Sequence, residues 1–374
     1  MAGIYIHVPF CERACHYCDF HFSTSLKLKQ RLIQALQREV ELRKHEISDD
    51  IHTIYFGGGT PSLLSAQELG EILLTIKEHF KVDKEAEITL EANPEHLSAQ
   101  SVKSWKGIGI NRLSLGVQSF DDDILRFLNR GHTSVQAKEA IAAAQANGIS
   151  NITVDLIYGI PGMSHKLWLQ QIELLTTFKV PHVSAYHLTI EDQTHFGYLQ
   201  KTKQLHEISD QHSEQQYRTL VERLLNAGYA HYEVSNFSLP GSESRHNSAY
   251  WKGVPYLGLG PSAHSFGSRS RSWNVSSNLK YIKALEAGSL GREGSETIDE
   301  DTAWNEKLLV GLRTAWGIDL GELEAVFGKP KVEELRTTLE TEVSKSHFTI
   351  SDNVLQLTSD GLFLADNISM KLFA

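Results

Sequence analysis

Along the first half of the chain, short runs of β-branched and aromatic residues alternate with segments whose apolar positions recur every three to four residues. That alternation predicts strands and amphipathic helices in turn, the pattern of βαβ units around a parallel sheet. The first strand is expected over residues 3–8, followed by a helix over 26–44 with Leu32, Ile33, Leu36 and Val40 on one face. Strands are expected next over 53–56, 87–91, 112–117, 151–157 and 182–188, with helical patterns between them. Ser65, with Glu68 three residues on, predicts a capping box at the start of the second helix. Six such units fall short of the eight of a closed barrel. Five of the six strands end in polar or glycine-rich turns, and in parallel β/α sheets ligands sit beyond the carboxyl ends of the strands.

The pattern loosens after residue 193. A helix over 209–228 precedes Tyr232-Glu233-Val234-Ser235-Asn236-Phe237, and a glycine- and serine-rich stretch with no assigned elements runs to Asn278. From about 295, helices over 303–315 and 332–343 lead to an alternating hairpin over 348–357 and a last helix from about 359. The expected division is therefore 1–235, a partial β/α barrel; 236–294, its extension; and 295–374, a small helical, winged-helix-like domain.

Composition changes this picture little. Hydrophobic residues at 41% and charged residues at 22% are ordinary for a soluble globular protein. A net charge of −10 argues against a general nucleic-acid binder. The N-terminus lacks a basic segment leading into a long apolar one, and no stretch approaches the ~20 apolar residues of a membrane span, so a cytoplasmic chain is expected.

The three cysteines alter it more. Cys11, Cys15 and Cys18 crowd into the turn after the first strand, an odd and clustered set that makes a poor disulfide framework and a good metal site. Three thiolates on one loop can ligate three irons of a 4Fe-4S cluster, leaving the fourth open to another ligand. A zinc site completed by His7, His16, Asp19 or His21 competes with that reading, as does a set of buried structural thiols. Gly57-Gly58-Gly59-Thr60-Pro61 closes the second strand, where missing Cβ atoms let a charged ligand approach backbone N–H groups.

The cysteine spacing resembles the radical S-adenosylmethionine (SAM) signature, in which the open iron takes the amino and carboxylate groups of SAM. With Tyr5-Ile6-His7-Val8-Pro9-Phe10-Cys11, Gly116-Val117-Gln118-Ser119-Phe120 and Asp155-Leu156-Ile157-Tyr158-Gly159-Ile160-Pro161-Gly162, the chain is similar to the oxygen-independent coproporphyrinogen oxidase superfamily. The resemblance implies an α/β fold, a partial (β/α)6 radical SAM barrel. It implies SAM contacts from Tyr5, Tyr17, Gly58, Gly59, Thr60 and Glu91, with Gln118, Arg130 and Asp155 in an adjoining pocket where the oxidases hold a second SAM. Each has a plainer reading: Arg130 as a helix C-terminal cation, Gln118 and Asp155 as partners of strand-end backbone, Glu91 as a solvated carboxylate.

Two departures set this chain apart from those oxidases. They carry a fourth cysteine two residues after the third, where this chain has Phe20, so coproporphyrinogen oxidase activity is not expected. Conversely, His246-Asn247-Ser248-Ala249-Tyr250-Trp251 matches the His-Asn-x-x-Tyr-Trp motif of the HemW family of haem chaperones. That resemblance implies haem as a ligand, held by His246, Tyr250 and Trp251, and acceptor haemoproteins as partners. A neutral imidazole suits haem iron and the aromatic rings suit a porphyrin face. The plainer alternative is that His246 hydrogen-bonds a loop while the aromatics close the barrel. The alternative function is an oxidative decarboxylase of coproporphyrinogen III.

Overall fold

The computed structural model describes residues 1–267 and 269–374. Six parallel strands form its centre: β1 (Ala2–Val8), β2 (Ile51–Gly58), β3 (Val82–Ala92), β4 (Arg112–Gln118), β5 (Ile152–Tyr158) and β6 (His182–His187). The crossovers run through α1 (Lys29–Arg43), α2 (Ala66–His79), α3 (Ala99–Gly107), α4 (Asp122–Phe127), α5 (Ser134–Ala146) and α6 (His165–Thr177). The predicted capping box is present, with Ser65 Oγ accepting from Glu68 N–H and Glu68 accepting from Ser65 N–H. Strand alternation divides the two faces. Ile4, Ile6 and Val8 enter the apolar core beneath the helices, whereas Gly3 lies against Thr53 and His246, and Gly57 against Tyr5, Tyr55 and Glu91, on the concave side.

After β6 the chain forms α7 (His195–Lys201), α8 (Asp210–Asn226), β7 (Ala230–Glu233) and β8 (Asn236–Ser238), the last antiparallel to β6. It then crosses the amino-terminal ends of the strands as α9 (Arg245–Trp251), placing His246 beside Gly3 and Thr53. The stretch to Asn278, left without elements by sequence pattern, supplies strands at the opposite edge. β9 (Tyr256–Leu259) pairs in parallel with β1, and β10 (His264–Phe266) and β11 (Ser270–Asn274) continue antiparallel. After α10 (Asn278–Glu286), β12 (Arg292–Thr297) completes a 12-stranded sheet of order β12-β11-β10-β9-β1-β2-β3-β4-β5-β6-β8-β7, which is not closed. These added strands span three to six residues, too short for a hydrophobic period to register.

A buried charge ties this extension to the barrel. Glu39 of α1 is fully buried, pairs with Arg43 at 2.9 Å, and accepts from Gly260 N–H, Asn274 Nδ2 and Tyr281 Oη. Arg43 donates onward to the Gly258 carbonyl and Ser265 Oγ.

The remaining residues form α11 (Glu300–Gly311), β13 (Ile318–Asp319), α12 (Leu320–Phe327), α13 (Lys329–Glu342), β14 (Phe348–Ser351), β15 (Val354–Leu357), α14 (Ser359–Phe363) and α15 (Ala365–Lys371). They surround a separate apolar cluster containing Leu308, Leu335, Leu339 and Leu355, with the expected hairpin inside a three-stranded sheet β13-β15-β14. Backbone bonds from Val234 N–H to Arg313 and from Ala315 N–H to Tyr232 join the two bodies. Among the described residues, no helix is long and apolar enough to cross a membrane.

Candidate cluster and cofactor site

The cysteines occupy the loop between β1 and α1, all free and half-buried. Its backbone is pinned at both ends: Cys11 N–H donates to the Ser23 carbonyl and Ser23 N–H to Pro9, while His16 N–H reaches Leu128. Burial pushes the Cys11 and Cys18 thiols up to about 11, so metal ligation here would displace protons. Among the described residues, the His/Cys/Asp/Glu triad whose ligand atoms lie within 4.8 Å of one another is Glu12, Glu95 and His96. At least one pair of the three sulfurs therefore stands farther than 4.8 Å apart.

Behind the loop lies a cavity of about 460 Å³ running down the concave side of the sheet. Its lining brings together Cys11, Cys15, Cys18, Tyr17, Gly58, Gly59, Thr60, Glu91, Gln118, Arg130 and Asp155, with Phe20 at the rim. Phe20 is 68% exposed there. Gly58 has φ +107°, and a Cβ on it would fall 2.6 Å from the His7 ring. Glu91 is held by Tyr55 Oη at 2.7 Å and Gly58 N–H at 3.2 Å, and burial pushes its carboxyl up to about 7. Asp155 is raised to about 7 by burial and by the charge of Glu91, with Ser114 Oγ 3.4 Å from both its oxygens. A cationic ligand between these two carboxyls would favour their ionised forms.

Arg130 does not cap a helix end. Its guanidinium donates to the Gly116 carbonyl and Asn93 Oδ1, each at 2.7 Å, and to Cys15 Sγ at 3.3 Å. Tyr17 is half-buried beside it. Gln118, at φ 65°, turns its side chain inward to accept from Tyr186 Oη at 2.9 Å. Tyr5 is absent from the cavity lining; it stacks on Tyr55 at 6.1 Å, and its hydroxyl lies 3.1 Å from His7 Nδ1.

The expected haem residues lie elsewhere. His246 is buried at the barrel floor, stacked on Tyr55 at 5.0 Å, with its N–H donating to Glu87. Its Nδ1 is 2.8 Å from Thr53 Oγ1 and its Nε2 2.8 Å from Tyr250 Oη, so neither ring nitrogen is free for iron. Burial lowers its pKa to about 3, leaving a neutral, fully engaged ring. In this arrangement the imidazole lies in a helix that plugs the barrel, with both ring nitrogens facing protein partners. Tyr250 packs edge-on against Tyr256, Trp251 is half-buried outside the cavity lining, and Asn247 is the motif residue that reaches the cavity.

Tyr55, Tyr186, Asn93 and Asn247 also line this space and were not anticipated. Tyr55 had a usable signal, since it precedes Gly57 by two on one strand and so shares its face. Asn247 had none, because only the path of α9 across the barrel brings it there.

The radical SAM superfamily profile matches residues 5–175, and that of the HemN C-terminal domain matches residues 298–364. The chain is 34% identical to the haem chaperone HemW of Lactococcus lactis, over 98% of this chain and 96% of that protein. It is 32% identical to the haem chaperone HemW of Bacillus subtilis, over 98% of both. The chain belongs to the HemW family. The solved structure of Escherichia coli coproporphyrinogen III oxidase (HemN), described as a radical SAM enzyme, matches with a TM-score of 0.87 at 20% identity, covering 100% of this chain and 90% of that one. That likeness establishes a shared fold.

Proposed function

We propose that this protein binds haem and passes it to acceptor haemoproteins in the cytoplasm, holding a 4Fe-4S cluster on Cys11, Cys15 and Cys18 with SAM in the adjoining cavity. The near-full-length similarity to proteins described as haem chaperones carries this reading. The donor set fits the cofactors: three unpaired thiols at the rim, bare glycine backbone, and two carboxyls with an arginine below. When bound, such a cluster supplies electron-transfer chemistry and an open iron for SAM. In this reading Glu91 and Asp155 meet the positive charges of SAM, Arg130 meets its carboxylate side and steadies Cys15, and Tyr55 keeps Glu91 oriented. Phe20 replaces the thiol associated with the oxidases and closes the rim with an apolar ring.

The test uses anaerobically reconstituted protein. About four irons per chain with the broad visible absorption of a 4Fe-4S centre are expected, together with a Soret shift on adding haem. Holo-protein should transfer haem to an apo-haemoprotein without converting coproporphyrinogen III under SAM and a strong reductant. Conversion at enzymatic rates would instead favour the decarboxylase. Stoichiometric zinc without iron would sink the cluster assignment.

A further inference from the structure

The concave face of the sheet continues beyond β1. Tyr5 pairs in register with Gly258 of β9, and the antiparallel strands carry the same face outward. Tyr256, Phe266, Arg271 and Glu296 form one row across β9 to β12, while His264, Trp273 and Gly294 form the next. Residues two apart along a strand share a face, so both rows look the same way. Phe266 stacks on Tyr256 with ring centroids 6.1 Å apart, and His264 stacks on Trp273 at 5.9 Å with 25° between the planes. Gly294 leaves room for the indole: a Cβ there would fall 2.5 Å from Trp273.

His264 differs from His246 in the respect that matters to a metal. It is exposed, its ring makes no hydrogen bond among the described residues, and burial against the wall with Arg271 nearby lowers its pKa. A neutral imidazole with a free lone pair therefore stands on a wall of half-buried rings. Arg271, on the same face, is held between Glu296 at 3.1 Å and Glu306 at 2.7 Å. Strands β9 to β11 span roughly 10 Å, comparable with a porphyrin ring. A docked protein side chain would use the aromatic faces alone; a planar, metal-bearing macrocycle uses the faces and the imidazole together.

We propose that this wall is the haem-binding surface, with His264 as an axial ligand of the iron and Trp273, Phe266 and Tyr256 against the porphyrin. The proposal rests on the haem-binding reading above. It also gives the His-Asn-x-x-Tyr-Trp helix a physical part, because Tyr250 packs edge-on against Tyr256 at 4.4 Å on the concave side and fixes that ring while His246 anchors the helix.

The experiment is a haemin titration of the full, cluster-loaded chain beside its His264→Ala, Trp273→Leu and His246→Ala variants, with circular dichroism and iron content as folding controls. His264→Ala should weaken haemin binding at least tenfold and displace the Soret band, and free imidazole should restore the band position. Trp273→Leu should weaken binding while keeping the ligation spectrum. His246→Ala, where it folds, should keep the ligation spectrum. Unchanged affinity and Soret position in His264→Ala would overturn this assignment alone. Absence of haemin binding by the wild-type chain would overturn the functional reading and this one with it.

Discussion

Glu91 and Asp155 are carboxyls that the fold holds against their ordinary chemistry. Each is half-buried along the cavity, and loss of solvent raises it to about 7, from 4.5 and 3.8 respectively. The unfolded chain ionises them near pH 4 while the folded chain retains the protons. Their contribution to stability is therefore present below pH 4 and is lost as pH rises toward 7. Relative to Asp155→Asn, the protein without SAM should lose melting temperature between pH 4.5 and pH 7.5. Thermal scans in which the two proteins run parallel would contradict that. A ligand bringing positive charge reverses the preference, so SAM affinity should rise from pH 6 to pH 8, read by calorimetry, and flatten in Asp155→Asn. The buried histidines titrate in the opposite sense, which is why the comparison is with a variant and not across pH alone.

At the scale of elements, α9 is a short helix carrying much of the barrel floor. Ser244 caps it by accepting from Asn247 N–H, Glu87 receives the N–H groups of Arg245 and His246, and the His246 ring fills the space above Gly3. His246→Ala would leave Thr53 and Tyr250 hydroxyls without their partner and open a cavity, costing about 2–4 kcal/mol. Chemical denaturation should read that loss without haem present. A variant as stable as wild type would mean that the ring is not a structural anchor. The strand-and-helix alternation of 1–188 was legible because each element is long enough for a period of 2 or 3.6 to repeat. The strands after α9 were not, because they are short and interrupted by glycine, serine and charged residues, and pairing of β9 with β1 and of each later strand with its neighbour specifies them more than their own residues do.

For the whole molecule, the decisive contact joins distant parts of the chain. Glu39 and Arg43 in the first helix hold Gly258, Gly260, Ser265, Asn274 and Tyr281, more than 200 residues away. Removing Glu39 takes the acceptor from Gly260 N–H, the Asn274 amide and the Tyr281 hydroxyl and leaves Arg43 with Glu46 as its remaining carboxylate. Glu39→Ala should therefore cost about 3–5 kcal/mol. Hydrogen exchange should show protection lost first over residues 256–274, with the cysteine loop still ordered. Uniform loss across the sheet would mean that the extension is not separately secured. The C-terminal body has its own apolar cluster and also meets the barrel through backbone bonds at Tyr232 and Val234 and the Arg218–Asp360 pair, away from Glu39, so this substitution should leave it folded.

The residues alone determined the alternating fold, the cluster loop, the glycine turn and the family pattern, because these depend on spacing within one loop or one strand. They singled out the His-Asn-x-x-Tyr-Trp motif, yet neither the helix that carries it nor what its histidine touches. Only tertiary structure decided that His246 faces Thr53 and Tyr250 inside the floor, that Asn247 reaches the cavity, and that an unremarked His264 stands exposed on Trp273. The physical reason is that a ring's availability depends on which hydrogen-bond partners and apolar surfaces surround it, and here those come from strands separated by up to about 190 residues of sequence.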